Sequence, residues 1–205
     1  MAGELAKYRG KSAPSAAAAK SGEFPANIVK KVGEMIDIQG IRKTFRSVTA
    51  LDGVGFKARD GEITGLIGPN GAGKTTLTNV LDGAVKPNSG TVYLNGTRID
   101  QLAPFQVANV GLGRTFQITR SFRRMTVLEN LYVPALALGK SQRTVEIHER
   151  AMEVLEFLTL GHLRNEYARA LSGGQQKLLE LGRLLMLDPN IIILDEPFAG
   201  VHPRL

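Results

Sequence analysis

The apolar residues of the chain follow two periods, which divide it into predicted strands and predicted helices. Short runs rich in β-branched residues predict strands at Met35–Ile38, Val54–Ala58, Gly61–Ile67, Thr91–Leu94 and Ile191–Leu194. Apolar residues at helical spacing predict helices at Lys74–Ala84, Thr144–Leu160 and Gln175–Leu187. The period becomes helical between Gln117 and Ser172, which predicts a helical subdomain inserted into a domain that also contains strands.

Two helices of this stretch carry a sequence signal for their first residues. Thr126 with Glu129, and Ser172 with Gln175, have the spacing of a capping box, in which the two side chains and the two backbone N–H groups bond reciprocally. Two glycines follow Ser172, so free N–H groups and the positive end of a helix dipole can also meet an anion there. If that anion is a phosphate group bound by a second copy of the chain, dimerisation completes the site.

The last predicted strand, Ile191–Leu194, ends in two carboxylates. Its continuous apolar run is too short for a membrane span and suits a strand buried on both faces of a parallel sheet. Asp195 and Glu196 then lie at the carboxyl end, where open α/β sheets bind ligands. Asp195 is a candidate to hold Mg²⁺, and Glu196 to act as general base on the attacking water. The alternative is a solvated acidic turn.

A phosphate-binding loop precedes the first predicted helix. It reads Gly68, Pro69, Asn70, Gly71, Ala72, Gly73, Lys74 and Thr75, the G-x-x-x-x-G-K-[ST] pattern. The glycines permit positive φ, so successive N–H groups can turn towards an anion. Lys74 supplies a charge for the β- and γ-phosphates, and the Thr75 hydroxyl can coordinate Mg²⁺. A glycine-rich turn without a ligand is the alternative.

Composition excludes several classes of protein. The 205 residues can bury one substantial core, and the absence of cysteine excludes disulfides and cysteine-ligated metals. No apolar run is long enough to span a membrane, since Pro134 interrupts even Leu131–Leu138. The net charge of +7 does not indicate a nucleic-acid partner, because residues 1–33 alone contribute +4. That segment is predicted to be a disordered basic tail, which is either inert or weakly attracted to an anionic membrane.

Together with Leu171–Lys177, which reads Leu-Ser-Gly-Gly-Gln-Gln-Lys, these motifs resemble the nucleotide-binding subunits of ATP-binding cassette (ABC) transporters. The resemblance covers about residues 35–205. Within that family, Gly111–Gln117 and Thr126–Asn130 are similar to the subunits of branched-chain amino-acid importers.

The resemblance implies a set of site residues. Gln117 is the glutamine that contacts Mg²⁺ and water and senses the membrane partner, and Phe45 lies where the family places an aromatic ring on adenine. An ordinary core position is the alternative for Phe45. The full implied sets are Glu196 and Gln117 for catalysis; Thr75, Gln117 and Asp195 for Mg²⁺; and Phe45, Gly68 to Thr75, Thr76, Ser172, Gly173, Gly174 and Gln175 for ATP.

Two departures from the family pattern bear on these expectations. After the acidic pair the chain reads Phe198–Pro203 where many relatives have Ser-Ala-Leu-Asp, which puts the usual Asp contact across the dimer in doubt. None of His148, His162 and His202 has the context of the family's switch histidine. The end at Leu205 is therefore expected to be a truncation, and such a chain is expected to aggregate and to hydrolyse ATP near background.

The sequence thus predicts an α/β fold, a P-loop NTPase (RecA-like) core with an antiparallel β-subdomain and an inserted α-helical subdomain at about residues 118–175. Residues 34–205 form the ATP-binding domain. The predicted function is ATP hydrolysis in an importer, with ATP and Mg²⁺ bound, a second nucleotide-binding subunit and membrane permease subunits as partners, and no nucleic acid. Its expected place is the cytoplasmic face of the inner membrane. An exporter ATPase of the lipopolysaccharide type and a non-transport ATPase of the same superfamily are the alternatives.

Overall fold

The structure is a computed structural model that describes residues 35–115, 121–137 and 144–195. The described residues fall into two compact units, one formed by 35–115 with 187–195 and the other by 121–137 with 144–186. The predicted basic tail lies outside the described residues.

An antiparallel sheet of four strands opens the first unit. β1 (Met35–Phe45) pairs with both β2 (Val48–Arg59) and β3 (Ser89–Leu94), and β4 (Thr97–Arg98) pairs with β3, giving the order β2-β1-β3-β4. The turn between β3 and β4 is Asn95-Gly96, and both residues have positive φ, 51° and 75°. Such a two-residue turn matches the twist of the strands it joins, which explains why β3 ends where the sequence predicts.

The rest of the first unit consists of two helices and a parallel strand pair. α1 (Lys74–Leu81) ends with Asp82 as C-cap and Gly83 at φ 80°, three residues before the predicted end. α2 (Pro104–Val110) leads into β5 (Leu112–Arg114), which pairs in parallel with β6 (Ile191–Ile193). The core of the unit lies between these elements and one face of the antiparallel sheet, and includes Ile38, Ile41, Val80, Val92 and Leu112.

Two predictions about buried strands are wrong. Residues 61–67 form no strand, because no described strand lies beside them to share backbone hydrogen bonds, and Ile63 and Ile67 are exposed. β6 is a parallel strand as predicted but is buried on one face only. Ile191 and Ile193 pack on the core, while Ile192 points the other way and is exposed, since successive side chains of a strand alternate.

The second unit is helical. α3 (Val127–Ala137), α4 (Thr144–Phe157) and α5 (Gly173–Leu185) surround their own apolar core, and short 3₁₀ turns lie at Gly161–Leu163 and Ala168–Ala170. The predicted face of α4 is buried and consists of Ile147, Ala151 and Val154, with Leu158 just beyond the helix. Among the described residues no helix has the length and apolar character needed to cross a membrane.

Both predicted capping boxes are confirmed. The Glu129 backbone N–H donates to Thr126 Oγ1 at 3.1 Å, and the Thr126 N–H donates to Glu129 Oε2 at 2.8 Å. The Gln175 N–H donates to Ser172 Oγ at 3.3 Å, and the Ser172 N–H donates to Gln175 Oε1 at 2.9 Å. Ser172 is therefore the N-cap of α5, which begins at Gly173, two residues before the predicted start.

Candidate functional site

The predicted phosphate loop is an exposed turn that enters α1 directly. Gly71 and Gly73 have φ of 82° and 86°, in the region where glycine is strongly favoured. A Cβ at Gly73 would overlap the carbonyl oxygen of Ala50 in β2, so this position also requires the smallest residue for packing. Gly73 is the N-cap of α1 and offers no side-chain oxygen to its first N–H groups, which suits a helix end that receives an anion.

Lys74 lies folded over this loop. Its Nζ donates to the carbonyl oxygens of Gly68 at 2.6 Å and Pro69 at 2.8 Å. These are bonds between an exposed cation and neutral acceptors, and phosphate oxygens would form stronger, charge-assisted bonds with the same ammonium group. The loop therefore fits a phosphate group by its backbone conformation, by its packing on β2 and by its charge.

The Mg²⁺ ligand expected on α1, Thr75, is exposed in the first turn of the helix. Thr76, a predicted ATP contact, is half-buried beside it. No cluster of three or more His, Cys, Asp and Glu side chains that could hold a metal ion is present in the described ranges. The Thr75 hydroxyl and the Asp195 carboxylate are oxygen donors of the kind that Mg²⁺ takes, in small number, beside water and phosphate.

Asp195, the predicted Mg²⁺ ligand, follows β6 and is held by β5. Its Oδ2 accepts from Nη2 of Arg114 at 3.0 Å, and its backbone N–H donates to Thr115 Oγ1 at 3.3 Å. Arg114 in turn donates through Nη1 to Asn79 Oδ1 and to Asp82 Oδ2, both at 2.6 Å. Because Asn79 lies in α1, these bonds join the carboxylate to the helix that starts at the phosphate loop.

Phe45, the predicted adenine contact, ends β1 and is 46% exposed, so the alternative of an ordinary core position is wrong. The Lys43 ammonium lies 5.1 Å from the centroid of its ring and donates to the carbonyl oxygen of Lys86 at 2.7 Å. A cation over an aromatic face is attracted by the ring electrons. Phe45 is thus available at the surface for a stacking contact.

The remaining predicted nucleotide contacts belong to the helical unit. Ser172 and Gly173 are exposed at the start of α5, and a Cβ at Gly173 would meet nothing within 4 Å. Gly174 is buried and Gln175 half-buried, with its side chain engaged in the capping box. The helix end is therefore ordered and open to an approaching group.

Several predicted residues have other outcomes. Gln117 and Glu196 lie outside the described residues, as does His202.

His148 is half-buried on α4, where its Nδ1 lies 2.7 Å from the hydroxyl of Tyr132. Burial lowers the pKa of His148, and burial also raises the pKa of Tyr132, to about 12. This pair belongs to the packing of the helical unit.

Sequence reasoning missed the role of Arg114 and of its partners Asn79 and Asp82. In the sequence, Arg114 belongs to the stretch Gly111–Gln117 that resembles the importer subunits, and no motif includes Asn79 or Asp82. Their pairing depends on the register of β5 beside β6, which brings residues 81 positions apart into contact. The one local signal is a charged residue that ends a short apolar run.

Comparison with known proteins identifies the family. The model of the family described as "ABC transporter" matches residues 51–199. "Probable branched-chain amino acid transport ATP-binding protein LivG" of Methanocaldococcus jannaschii is 42% identical over 84% of this chain and 71% of that protein. BraF of Pseudomonas aeruginosa, a high-affinity branched-chain amino acid transport ATP-binding protein, is 36% identical over 83% of this chain and 72% of BraF. LptB of Haemophilus influenzae, a lipopolysaccharide export system ATP-binding protein, is 36% identical over 82% of this chain and 70% of LptB.

Solved structures agree. The ADP conformation of MJ1267, an ATP-binding cassette of an ABC transporter, superimposes with a TM-score of 0.73 at 39% identity, over 84% of this chain and 72% of that one. The dimeric structure of MJ0796, a bacterial ABC transporter cassette, gives a TM-score of 0.73 at 28% identity, over 82% of this chain and 77% of that one. The phosphate loop, Ser172 and Asp195 all lie within the range that the family model matches. The chain therefore belongs to the ABC transporter family and has its P-loop NTPase fold.

Proposed function

We propose that the chain is the ATP-binding and ATP-hydrolysing subunit of an importer for branched-chain or other hydrophobic amino acids. The observation that carries the proposal is the phosphate loop, whose glycine conformations and whose Lys74 lead straight into an uncapped α1. Relatives named for branched-chain amino acid transport, at 36–42% identity, support the substrate class.

Each proposed site residue has a distinct task. The loop N–H groups and Lys74 bind the phosphates, Phe45 stacks on the base, and Thr75 with Asp195 and Gln117 holds Mg²⁺. When bound, the metal supplies positive charge that stabilises the transferring phosphoryl group. Glu196 accepts a proton from the attacking water, and Gln117 has the role of contacting Mg²⁺ and water.

The second half of the site comes from another subunit in this proposal. Ser172, Gly173 and the first N–H groups of α5 contact the γ-phosphate held by the partner, which is a second copy or a close paralogue. The dimeric structure of a related cassette supports the association of two subunits. Closure of the dimer on ATP and its reopening after hydrolysis drive the permease, because the nucleotide binds the two states with different affinity.

The permease is proposed to contact the loop before α3 and to hold the subunit at the cytoplasmic face of the inner membrane. Phe122, Arg123 and Arg124 are exposed there. Buried Asn130 fixes the loop by accepting from the Phe122 N–H at 2.8 Å and donating to the Phe122 carbonyl oxygen at 3.1 Å. A fixed, exposed loop with two cations suits a docking contact more than a solvated turn.

Lys74→Ala tests the nucleotide site. The substitution removes the cation of the phosphate cradle, so we expect ATP affinity to fall by about 30- to 150-fold, which corresponds to one lost charge-assisted contact of about 2–3 kcal/mol. Titration with a fluorescent ATP analogue measures it. Lys57→Ala, at an exposed lysine of β2 outside the loop, is the matched control and should bind as the parent does. Equal affinity of the two variants would contradict the assignment of the loop.

An exporter ATPase of the lipopolysaccharide type is the second candidate, favoured by the 36% identity to LptB. Reconstitution separates the two. The subunit is combined in proteoliposomes with the permease subunits encoded beside it, and ATP-dependent uptake of labelled leucine is measured. Uptake that disappears with Lys74→Ala supports the importer, whereas ATPase stimulation by lipopolysaccharide without leucine uptake supports the exporter.

A further inference from the structure

Arg114 occupies a position that the proposed nucleotide site does not explain. Its side chain is only 6% exposed and donates to three oxygens, Asn79 Oδ1, Asp82 Oδ2 and Asp195 Oδ2. The guanidinium group is planar and rigid, so these contacts fix the directions of all three acceptors relative to one another. A lysine ammonium, as a single point charge on a flexible stem, cannot reproduce this fork.

The three acceptors come from two elements that carry the expected Mg²⁺ ligands. Asn79 lies four residues after Thr75 on α1, hence on the same side of the helix and one turn further along. Asp195 follows β6, and its main chain is separately held by the bond to Thr115 Oγ1. Arg114 and Thr115 therefore fix both the side chain and the backbone of Asp195.

The charge of the cluster favours a cation. One guanidinium faces two carboxylates, Asp82 and Asp195, whose side chains are 14% and 24% exposed, so the partly buried group carries one net negative charge. Arg114 takes Oδ2 of Asp195, the more exposed of the two carboxylates, which leaves Oδ1 as the oxygen to face a hydrated metal ion. A neighbour that orients a metal-binding carboxylate typically changes metal affinity by about 10- to 100-fold when it is removed.

We infer that Arg114 is a positioning residue for Mg²⁺: it holds the Asp195 carboxylate in one orientation and fixes it to the helix that bears Thr75. The inference rests on the proposed function, since it assigns Asp195 to the metal of Mg-nucleotide. It adds a residue outside the phosphate loop and the acidic pair to the machinery of the site.

The test measures how much Mg²⁺ strengthens ADP binding. The dissociation constant of ADP is determined with excess EDTA and with saturating Mg²⁺ for the parent chain, Arg114→Lys and Asp195→Asn. We expect Arg114→Lys to bind metal-free ADP within about threefold of the parent, and to lose about 10- to 100-fold in apparent Mg²⁺ affinity. The variant that combines Arg114→Lys with Asp195→Asn should lose little more Mg²⁺ affinity than either single variant, because both changes remove the same oriented oxygen.

Arg98→Lys is the matched control. Arg98 also holds a buried carboxylate through a two-bond fork, that of Asp100, in the same unit but outside the site. It should leave the Mg²⁺ affinity unchanged. Circular dichroism and the thermal midpoint establish folding of each variant, and Arg114→Gln replaces Arg114→Lys if the latter does not fold.

The possible outcomes distinguish the proposals. A parent chain that binds no nucleotide contradicts the proposed function itself. The positioning role is overturned if Arg114→Lys binds Mg²⁺ as tightly as the parent does. It is also overturned if Arg114→Lys loses the same ADP affinity with and without Mg²⁺, because that result indicates a merely structural role. Additive losses in the double variant also overturn it.

Discussion

At the residue scale, the carboxylate of Asp100 shows how this chain stabilises a buried negative charge. Asp100 is fully buried after β4, and its two oxygens accept from the Val92 N–H, from Arg98 twice and from the Gln101 amide. Burial raises the pKa of Asp100, but the hydrogen bonds from Arg98, Val92 and Gln101 and the charge of Arg98 outweigh it and lower the pKa to about 2. The ionised form is therefore the one that the fold stabilises.

Asp100→Asn should destabilise the chain by about 2 kcal/mol at pH 7. Because the folded pKa lies below the unfolded value of 3.8, this contribution is complete above about pH 4 and is lost as the pH falls towards 2. Urea denaturation of parent and variant at pH 7, 5, 4 and 3 measures the difference. Asp52→Asn, in an exposed pair with Arg42, is the control and should cost less than about 1 kcal/mol. A deficit that is as large at pH 3 as at pH 7 would contradict the assigned cause.

Individual site residues differ in how far the sequence identifies them. Lys74 and Ser172 stand in local patterns whose geometry is set within a few residues, so spacing alone located the loop and the cap. Arg114 gives no such pattern, because its acceptors lie on α1 and after β6. Only the pairing of β5 with β6 brings them together, and a single sequence does not determine that register.

At the element scale, the same distinction separates helices from strands. The helices α1, α4 and α5 were predicted to within about three residues, because caps and the 3.6-residue period are local. β1 extends to Phe45, and β2 begins at Val48. Both strands are longer than the short apolar runs that predicted them, because hairpin pairing also orders polar residues. The run 61–67 failed as a strand for the converse reason, because a strand requires a hydrogen-bonded neighbour.

The end of α4 offers a stability prediction. Thr159 follows the helix with φ 56°, a left-handed conformation that a β-branched residue adopts at a cost of about 1–2 kcal/mol. Thr159→Gly removes this cost, but glycine also raises the conformational entropy of the unfolded chain, which offsets part of the gain. We therefore expect a net stabilisation of about 0.5–1 kcal/mol. Thr159→Ala keeps the Cβ and is the control, with a smaller gain expected. Equilibrium denaturation ranks the three proteins, and a glycine variant less stable than the parent would contradict the strain argument.

At the scale of the whole molecule, the two groups of predicted nucleotide contacts belong to different units of the chain. The phosphate loop and Asp195 belong to one unit, while the helix end at Ser172 belongs to the other. Each unit has its own apolar core, so either half of the site can be altered without removing the core of the other. This division makes it possible to separate nucleotide binding from association between subunits.

Ser172→Arg should abolish ATP-dependent dimerisation and leave ATP binding by the monomer intact. A large cation at the N-cap of α5 opposes the helix dipole and blocks the open space before Gly173, where the partner's phosphate is proposed to lie. Light scattering with and without ATP, on a Glu196→Gln background that slows hydrolysis, measures the dimer. Ser172→Ala is the matched control: it loses the cap, at about 1 kcal/mol, and the hydroxyl contact with the γ-phosphate, but it keeps the N–H groups of α5 and creates no obstruction, so it should still dimerise, if more weakly. If the arginine variant forms as much dimer as the alanine variant, the start of α5 does not meet the nucleotide of a second subunit.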